Sequence, residues 1–226
     1  MKRLVTTLFL GALLSLALPV GAGAQTLLFD YLGFDYEDPN PVPATFGEFG
    51  SGYVGLGTVP NLFAPLVADV VNNEYTYVMS GLTVTNITPV GTYLIIDYSP
   101  GTISIYEDSK ASGTAADFGS NPPGPLAPPT FVDGTLFLQA TLANFQFVVN
   151  STNGNGGFNA DMTVTGGSQL VNFPLNQRKG WTFAGSTGLA TNIPDGYYHQ
   201  IDGQSFLDEP VPTRTTSWGR VKSLYR

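Results

Sequence analysis

Cysteine is absent from the 226-residue chain, and charged residues make up only 12% of it. Without cysteine the chain has no disulfides, iron–sulfur clusters or thiol catalysis. Nine lysines and arginines stand against seventeen aspartates and glutamates, which excludes the basic surface that nucleic-acid binding requires. The single histidine, His199, excludes the common zinc sites that use several histidines. Glycine and proline are abundant, at 27 and 17 residues, and the 42% hydrophobic content is too high for a disordered chain.

One long hydrophobic run occurs, at the N-terminus. Two basic residues precede it, residues 4–20 are almost entirely apolar, and residues 22–24 supply the small side chains of a cleavage site. This order predicts a secretory signal peptide over residues 1–24, with Gln25 as the first mature residue. The alternative is a membrane anchor, which is disfavoured because the run is shorter than the ~20 residues of a spanning helix.

Charge is distributed unevenly along the mature chain. Loss of the two basic residues of the leader takes the net charge from −8 to −10. Residues 25–209 hold all seventeen acids and only three cations, whereas residues 210–226 hold four cations and no acid. The sequence therefore predicts one acidic β domain over residues 25–209, followed by a basic C-terminal tail over residues 210–226. A domain with a net charge of −14 is expected to repel anionic partners.

Segments in which apolar and polar residues alternate recur along the acidic domain. Such alternation indicates strands with one buried face, and the threonine, valine, tyrosine and phenylalanine in them suit a pleated surface. The strand candidates are residues 26–31, 53–58, 75–80, 92–98, 102–105, 135–142, 144–149, 158–165, 181–186 and 197–206. Strands at this spacing predict an all-β fold, namely an antiparallel β-sandwich, with a closed β-barrel as the alternative.

The connections between these segments are rich in glycine and proline. Residues 99–101 and 150–157 predict tight hairpin turns. Residues 38–46 and 121–129 hold several prolines and predict long, irregular loops. The only helix candidate is residues 61–71, which Pro65 keeps short.

Two glycine-containing motifs resemble catalytic signatures but lack the context that these signatures need. Residues 50–55 match G-x-G-x-x-G, yet the following residues cannot open the helix of a dinucleotide site. Residues 184–188 resemble a nucleophile elbow, yet no helical pattern follows them and the only histidine lies in a later strand candidate. We therefore predict that both motifs are ordinary strand or turn segments and that His199 is an ordinary strand residue.

Acidic residues cluster most densely where the first proline-rich loop begins. Asp35, Glu37, Asp38 and Asn40 offer hard oxygen ligands of the kind that Ca²⁺ prefers. Their spacing differs from that of an EF-hand, and the glycine of that loop is missing. A weak calcium site at these four residues is one hypothesis and a solvated acidic loop is the other. No other cofactor is expected.

Carboxylates and tyrosines leave a carbohydrate-directed function open. A glycosidase needs two carboxylates at a set separation, and the sequence singles out no pair. Exposed tyrosines stack on sugars, whereas buried ones pack in a core. The candidates for stacking are Tyr31, Tyr36, Tyr53, Tyr197 and Tyr198.

The C-terminal tail carries the most distinctive motif in the chain. It follows Pro210 and Pro212, which mark a boundary. The motif residues are Trp218, Gly219, Arg220, Val221, Lys222, Leu224, Tyr225 and Arg226. This ending resembles the T-W-G-x-[IV]-K-x-L-Y-R tail of uncharacterised secreted proteins from environmental bacteria, and it departs from that tail at Ser217. The resemblance implies export and C-terminal sorting by a receptor, and the alternative is a disordered basic tail.

No set of nucleophile, base and orienting group emerges from the sequence. The chain is therefore predicted to be an exported, non-catalytic structural or adhesive module, secreted or held at the cell surface in the bacterial envelope. Its expected partners are the export machinery, a sorting receptor and a glycan or other cell-surface ligand. The alternatives are a glycan-binding domain or carbohydrate-active enzyme, and an outer-membrane β-barrel.

Overall fold

A computed structural model of the chain describes residues 25–38, 47–118 and 128–208, so the predicted signal peptide and the tail motif lie outside the described residues. Within them, Thr26–Leu207 forms one compact unit. The strands are β1 (Gln25–Asp38), β2 (Gly52–Leu62), β3 (Asn73–Val90), β4 (Tyr93–Tyr98), β5 (Gly101–Ser109), β6 (Thr135–Asn150), β7 (Gly156–Gly166), β8 (Trp181–Gly188) and β9 (Gln200–Asp208). Short 3₁₀ helices occupy Pro129–Phe131, Ser168–Asn172 and Leu175–Gln177.

These strands form one sheet that closes on itself. Antiparallel pairs join β1 to β2, β2 to β3, and each strand from β6 to β9 to the next. The sheet closes where β9 lies beside β1. Strands β4 and β5 follow one another along a single line, because both pair antiparallel with the long strand β3 on one side and with β6 on the other. Since β4 and β5 share one strand position, the nine strands form a closed, eight-stranded antiparallel β-barrel.

The closed barrel corrects the predicted β-sandwich and matches the alternative. Both architectures need the same alternation of buried and exposed residues, so the pattern does not separate them. Closure requires strands that bend and approach closely. Gly33 of β1 and Gly57 of β2 face one another, and a Cβ atom on Gly57 would overlap the carbonyl oxygen of Leu32. Only glycine permits that approach.

Residues 99–101 form a kink between the collinear strands β4 and β5 and not the predicted hairpin turn. The Ser99 amide donates to the carbonyl oxygen of Thr83 at 2.8 Å, and the Ser99 hydroxyl accepts from the Thr83 amide at 3.0 Å. The pairing with β3 therefore continues past Pro100. Gly81, with a φ of 77°, supplies the matching bend in β3.

The predicted helix over residues 61–71 does not form. Strand β2 runs to Leu62, and turns follow it. The Asp69 carboxylate accepts hydrogen bonds from the Val71 and Asn72 amides, both at 3.2 Å, and so favours a turn over a helix. None of the helical segments in residues 25–38, 47–118 and 128–208 is long and apolar enough to span a membrane.

Apolar side chains are buried on both sides of the barrel wall. Aromatic residues fill much of the interior, where Tyr31 stacks on Phe183 with ring centroids 4.7 Å apart. A smaller apolar cluster lies against the outer faces of β1, β2 and β3. In it, residues of these strands pack with Phe131 and Tyr197 from elsewhere in the chain, and the strand residues are Tyr36, Val54, Leu56 and Val78. On β7 the inward side chains are apolar and buried, whereas the outward Asn159 and Asp161 are exposed. The outer surface of β7 is therefore polar.

Candidate functional site

Ionisable side chains meet inside the barrel at the end where β1 finishes and β9 begins. Asp35 and Glu37 lie two residues apart on β1, so both point to the same, inner face. His199 immediately precedes β9. The exposed fractions of these residues are 0%, 1% and 3%, so the cluster is closed off from solvent. We call Asp35, Glu37 and His199 the acid–histidine cluster.

Asp35 and His199 form a buried, hydrogen-bonded pair that joins the first strand to the last. His199 Nδ1 lies 3.1 Å from each carboxylate oxygen, and the His199 amide donates to Oδ1 at 2.7 Å. The Asp35 amide also donates to the His199 carbonyl at 3.1 Å, and the Tyr198 amide donates to the Asp35 carbonyl at 2.8 Å. Main chain and side chain together therefore fasten the β1–β9 seam.

The imidazole is covered on its other side by the turn between β6 and β7. A Cβ atom on Gly154 would lie 3.1 Å from His199 Nε2, and Gly154 has a φ of 66°. Glycine at this position allows the turn to close directly over the ring. Its carbonyl is also fixed, because it accepts a hydrogen bond of 2.9 Å from the Thr187 hydroxyl.

Glu37 is the carboxylate whose protonation changes near neutral pH. Burial, with a smaller contribution from the Asp35 and Glu48 carboxylates, raises its pKa to about 7. The Gly47 amide opposes this shift, because it donates to Oε1 at 2.6 Å and favours the charged form. Glu37 therefore exists as both acid and carboxylate at neutral pH.

Buried tyrosines adjoin the acid–histidine cluster. Burial raises the pKa of Tyr77 and Tyr98 well above the usual value for a phenol, and the charge of Asp35 adds to the shift in both. Within the described residues, neither hydroxyl has a hydrogen-bond partner. These phenols stay neutral at any ordinary pH, so they act as part of the core and not as acids.

The structure describes three of the four residues of the calcium hypothesis. Asp35 and Glu37 point into the barrel and are engaged by His199 and the Gly47 amide, whereas Asp38 lies at the end of β1 on the other face. Asn40 lies outside the described residues. Residues 35–38 thus belong to a strand and not to a solvated acidic loop. In the described part of the chain, no group of three or more acidic or histidine side chains is arranged to hold a metal ion. Calcium binding here stays a prediction.

A groove of about 600 Å³ crosses the outer wall over β2, β1, β9 and β8. Ala184, Gly185 and Gly203 leave room for this groove, because they have small side chains or none. Polar groups surround these three residues, and the described residues that line the groove include no lysine or arginine. The polar lining residues are Asp30, Asn61, Ser186, Asp202 and Gln204. One of their contacts is already made, since Asn61 Nδ2 donates to Asp30 Oδ2 at 3.2 Å.

The tyrosines proposed for sugar stacking are mostly core residues. Tyr31, Tyr36 and Tyr53 are at most 1% exposed and Tyr197 is 7% exposed, whereas Tyr198 is half-buried. The prediction that the first four tyrosines stack on a sugar is therefore wrong, because their rings are buried. The elbow-like residues 184–188 lie in β8, as the ordinary-strand interpretation predicts.

His199 is the residue that the sequence interpretation missed, because it is the buried hydrogen-bond partner of Asp35 and not an ordinary strand residue. Its partner lies 164 residues away in the chain, and no spacing rule connects the two.

No protein-family model matches the chain, and no curated protein and no solved structure matches it. Its function is therefore inferred from geometry and chemistry alone.

Proposed function

We propose that the chain is an exported, non-catalytic binding module whose ligand meets the outside of the barrel. The burial of the acid–histidine cluster supports this most strongly. A general acid or base must come within hydrogen-bond reach of its substrate, and Asp35, Glu37 and His199 are sealed from solvent. The accessible polar groups line the outer groove, whose volume falls within the ~300–1,000 Å³ typical of small-ligand sites.

A glycan is the ligand class that the chemistry of the groove favours. Carboxylates accept hydrogen bonds from sugar hydroxyls, and the amides of Asn61 and Gln204 both donate and accept. Anionic ligands are disfavoured, because the lining offers two carboxylates and the domain is strongly acidic. A neutral, polyhydroxylated ligand satisfies both conditions.

An outer-membrane barrel is a weaker proposal. A barrel embedded in lipid turns apolar side chains outward and polar ones inward. On β7 the arrangement is the reverse, with Phe158 and Met162 buried and Asn159 and Asp161 exposed. Export and surface location rest on residues 1–24, and sorting by an envelope receptor rests on the tail motif at residues 218–226.

A glycan array combined with an assay for released reducing ends tests the proposed function. We expect the mature chain to bind a glycan without hydrolysing it. The groove variant Asp202→Ala/Gln204→Ala should bind at least about tenfold more weakly, because each lost charged or polar contact contributes about 1–3 kcal/mol. The matched control Asp161→Ala/Asn159→Ala removes one acid and one amide from the outer face of β7 and should bind like the wild type. Release of reducing ends would favour the enzyme alternative, and equal binding by both variants would exclude the groove.

A further inference from the structure

The four most exposed large aliphatic side chains of the described residues lie at the barrel end opposite the acid–histidine cluster. They lie on the loop between β2 and β3 and on the connection between β7 and β8. Their exposed fractions are 72% for Val67, 78% for Val71, 86% for Val171 and 79% for Leu175. We call these four residues the loop patch. Exposed apolar groups that gather in one place on a monomer mark an interaction surface.

The two loops are anchored to each other and to the barrel. The Val67 amide donates to Gln169 Oε1 at 2.9 Å, which joins one loop to the other. Leu66, which precedes Val67, and Phe173, which lies two residues from both Val171 and Leu175, belong to the interior core. Trp181 Nε1 donates to the Gln177 carbonyl at 2.8 Å. The aliphatic side chains are therefore presented by loops that are held in place.

All three cations of the domain lie around the loop patch. Lys110 Nζ donates to the Val70 carbonyl at 2.6 Å, Arg178 Nε donates to the Phe173 carbonyl at 2.9 Å, and Lys179 is exposed beside them. Residues 167–180 contain no acid, whereas Asp69 and Glu74 lie on the Lys110 side. The positive side of the loop patch is therefore the one at Val171 and Leu175, in a domain with a net charge of −14.

We propose that the loop patch docks onto an anionic lipid membrane, with its aliphatic side chains among the headgroups and its cations at the lipid phosphates. Aliphatic groups flanked by lysine and arginine are typical of interfacial membrane binding. The proposal is independent of the groove ligand and rests on the proposed function only for the export that brings the chain to a membrane.

Vesicle co-sedimentation of the mature chain, residues 25–226, tests this proposal. Vesicles of phosphatidylcholine alone are compared with vesicles that also contain phosphatidylglycerol, and the wild type is expected to favour the anionic ones. Val171→Ser/Leu175→Ser should bind about tenfold more weakly, because two aliphatic groups no longer enter the interface. The matched control Val90→Ser/Leu189→Ser changes residues that are 53% and 60% exposed at the opposite end, and it should bind normally. Every variant keeps the basic tail, so the contribution of the tail cancels.

Lys179→Gln separates the charge of the surface from its apolar character. It should weaken binding to the anionic vesicles and leave the weaker binding to phosphatidylcholine unchanged. Equal vesicle binding by the wild type and Val171→Ser/Leu175→Ser would overturn the proposal. The proposal would also be overturned if the wild type does not bind vesicles but self-associates through the loop patch. The partner would then be a second copy of the chain. A mature chain that binds vesicles but no glycan would contradict the proposed function and would still support membrane docking by the loop patch.

Discussion

Replacing Glu37 with glutamine is expected to make the barrel more stable above neutral pH and to flatten its stability profile below it. In the wild type the pKa of Glu37 rises from 4.5 to about 7 on folding. The folded state therefore binds this proton more tightly than the unfolded state does. The resulting stabilisation is complete below about pH 4.5 and is lost as the pH rises to about 7. At about 1.4 kcal/mol for each pKa unit, its upper limit is about 3 kcal/mol.

Chemical denaturation between pH 4 and pH 8 measures this difference. Glutamine keeps an oxygen for the Gly47 amide but carries no titrating proton, so Glu37→Gln should lack this loss of stability. The control Asp133→Asn removes an exposed acid that takes no part in the Glu37 shift and should keep the wild-type profile. The other ionisable groups near Glu37 are Asp35, Glu48, Tyr98 and Tyr198, and all remain in both variants. Parallel profiles for the wild type and Glu37→Gln would contradict the assignment.

Replacing Asp35 with alanine is expected to cause the largest loss of stability of any single change in the acid–histidine cluster. The change leaves the imidazole and the amide of His199 without their shared acceptor inside the barrel. Leaving a buried hydrogen-bonding group without its partner costs about 1–3 kcal/mol for each group. Asp35→Asn keeps an acceptor oxygen and should cost less.

Denaturant titration at pH 7 tests that expectation. Asp161→Ala is the control, because its carboxylate is exposed and accepts from Asn144 Nδ2 at 2.7 Å. Surface changes of this kind alter stability by about 0.5 kcal/mol or less. If Asp35→Ala costs no more than Asp161→Ala, then the Asp35–His199 pair does not stabilise the β1–β9 seam.

The strands of the barrel could be predicted from the sequence because their signal is local. Phe158, Ala160, Met162 and Val164 alternate with polar residues, and all four are buried in β7. The side-chain period of a strand is two residues, so a short window is sufficient. Closure could not be predicted in this way. It depends on β9 lying beside β1, and the two strands are at opposite ends of the domain.

The acid–histidine cluster could not be predicted from the sequence either, because it depends on contacts between residues far apart in the chain. Asp35 and Glu37 look like residues of a solvated loop, because buried acids are rare and a proline-rich stretch follows them. Their burial is tolerated because His199 and the Gly47 amide supply the hydrogen bonds. The same limit applies to Tyr31 and Tyr53, whose residue type fits an exposed sugar platform as well as a barrel interior.

Amide hydrogen exchange at the β1–β9 seam tests most directly whether the barrel is closed around the acid–histidine cluster. The informative amides are those of Asp35, Tyr198 and His199, which donate to acceptors across the seam. A closed barrel predicts slow exchange at all three, comparable with the paired amides of β6 and β7. Exchange as fast as that of exposed loop amides would mean that β1 and β9 are free edges, and it would contradict both the barrel and the sealed cluster.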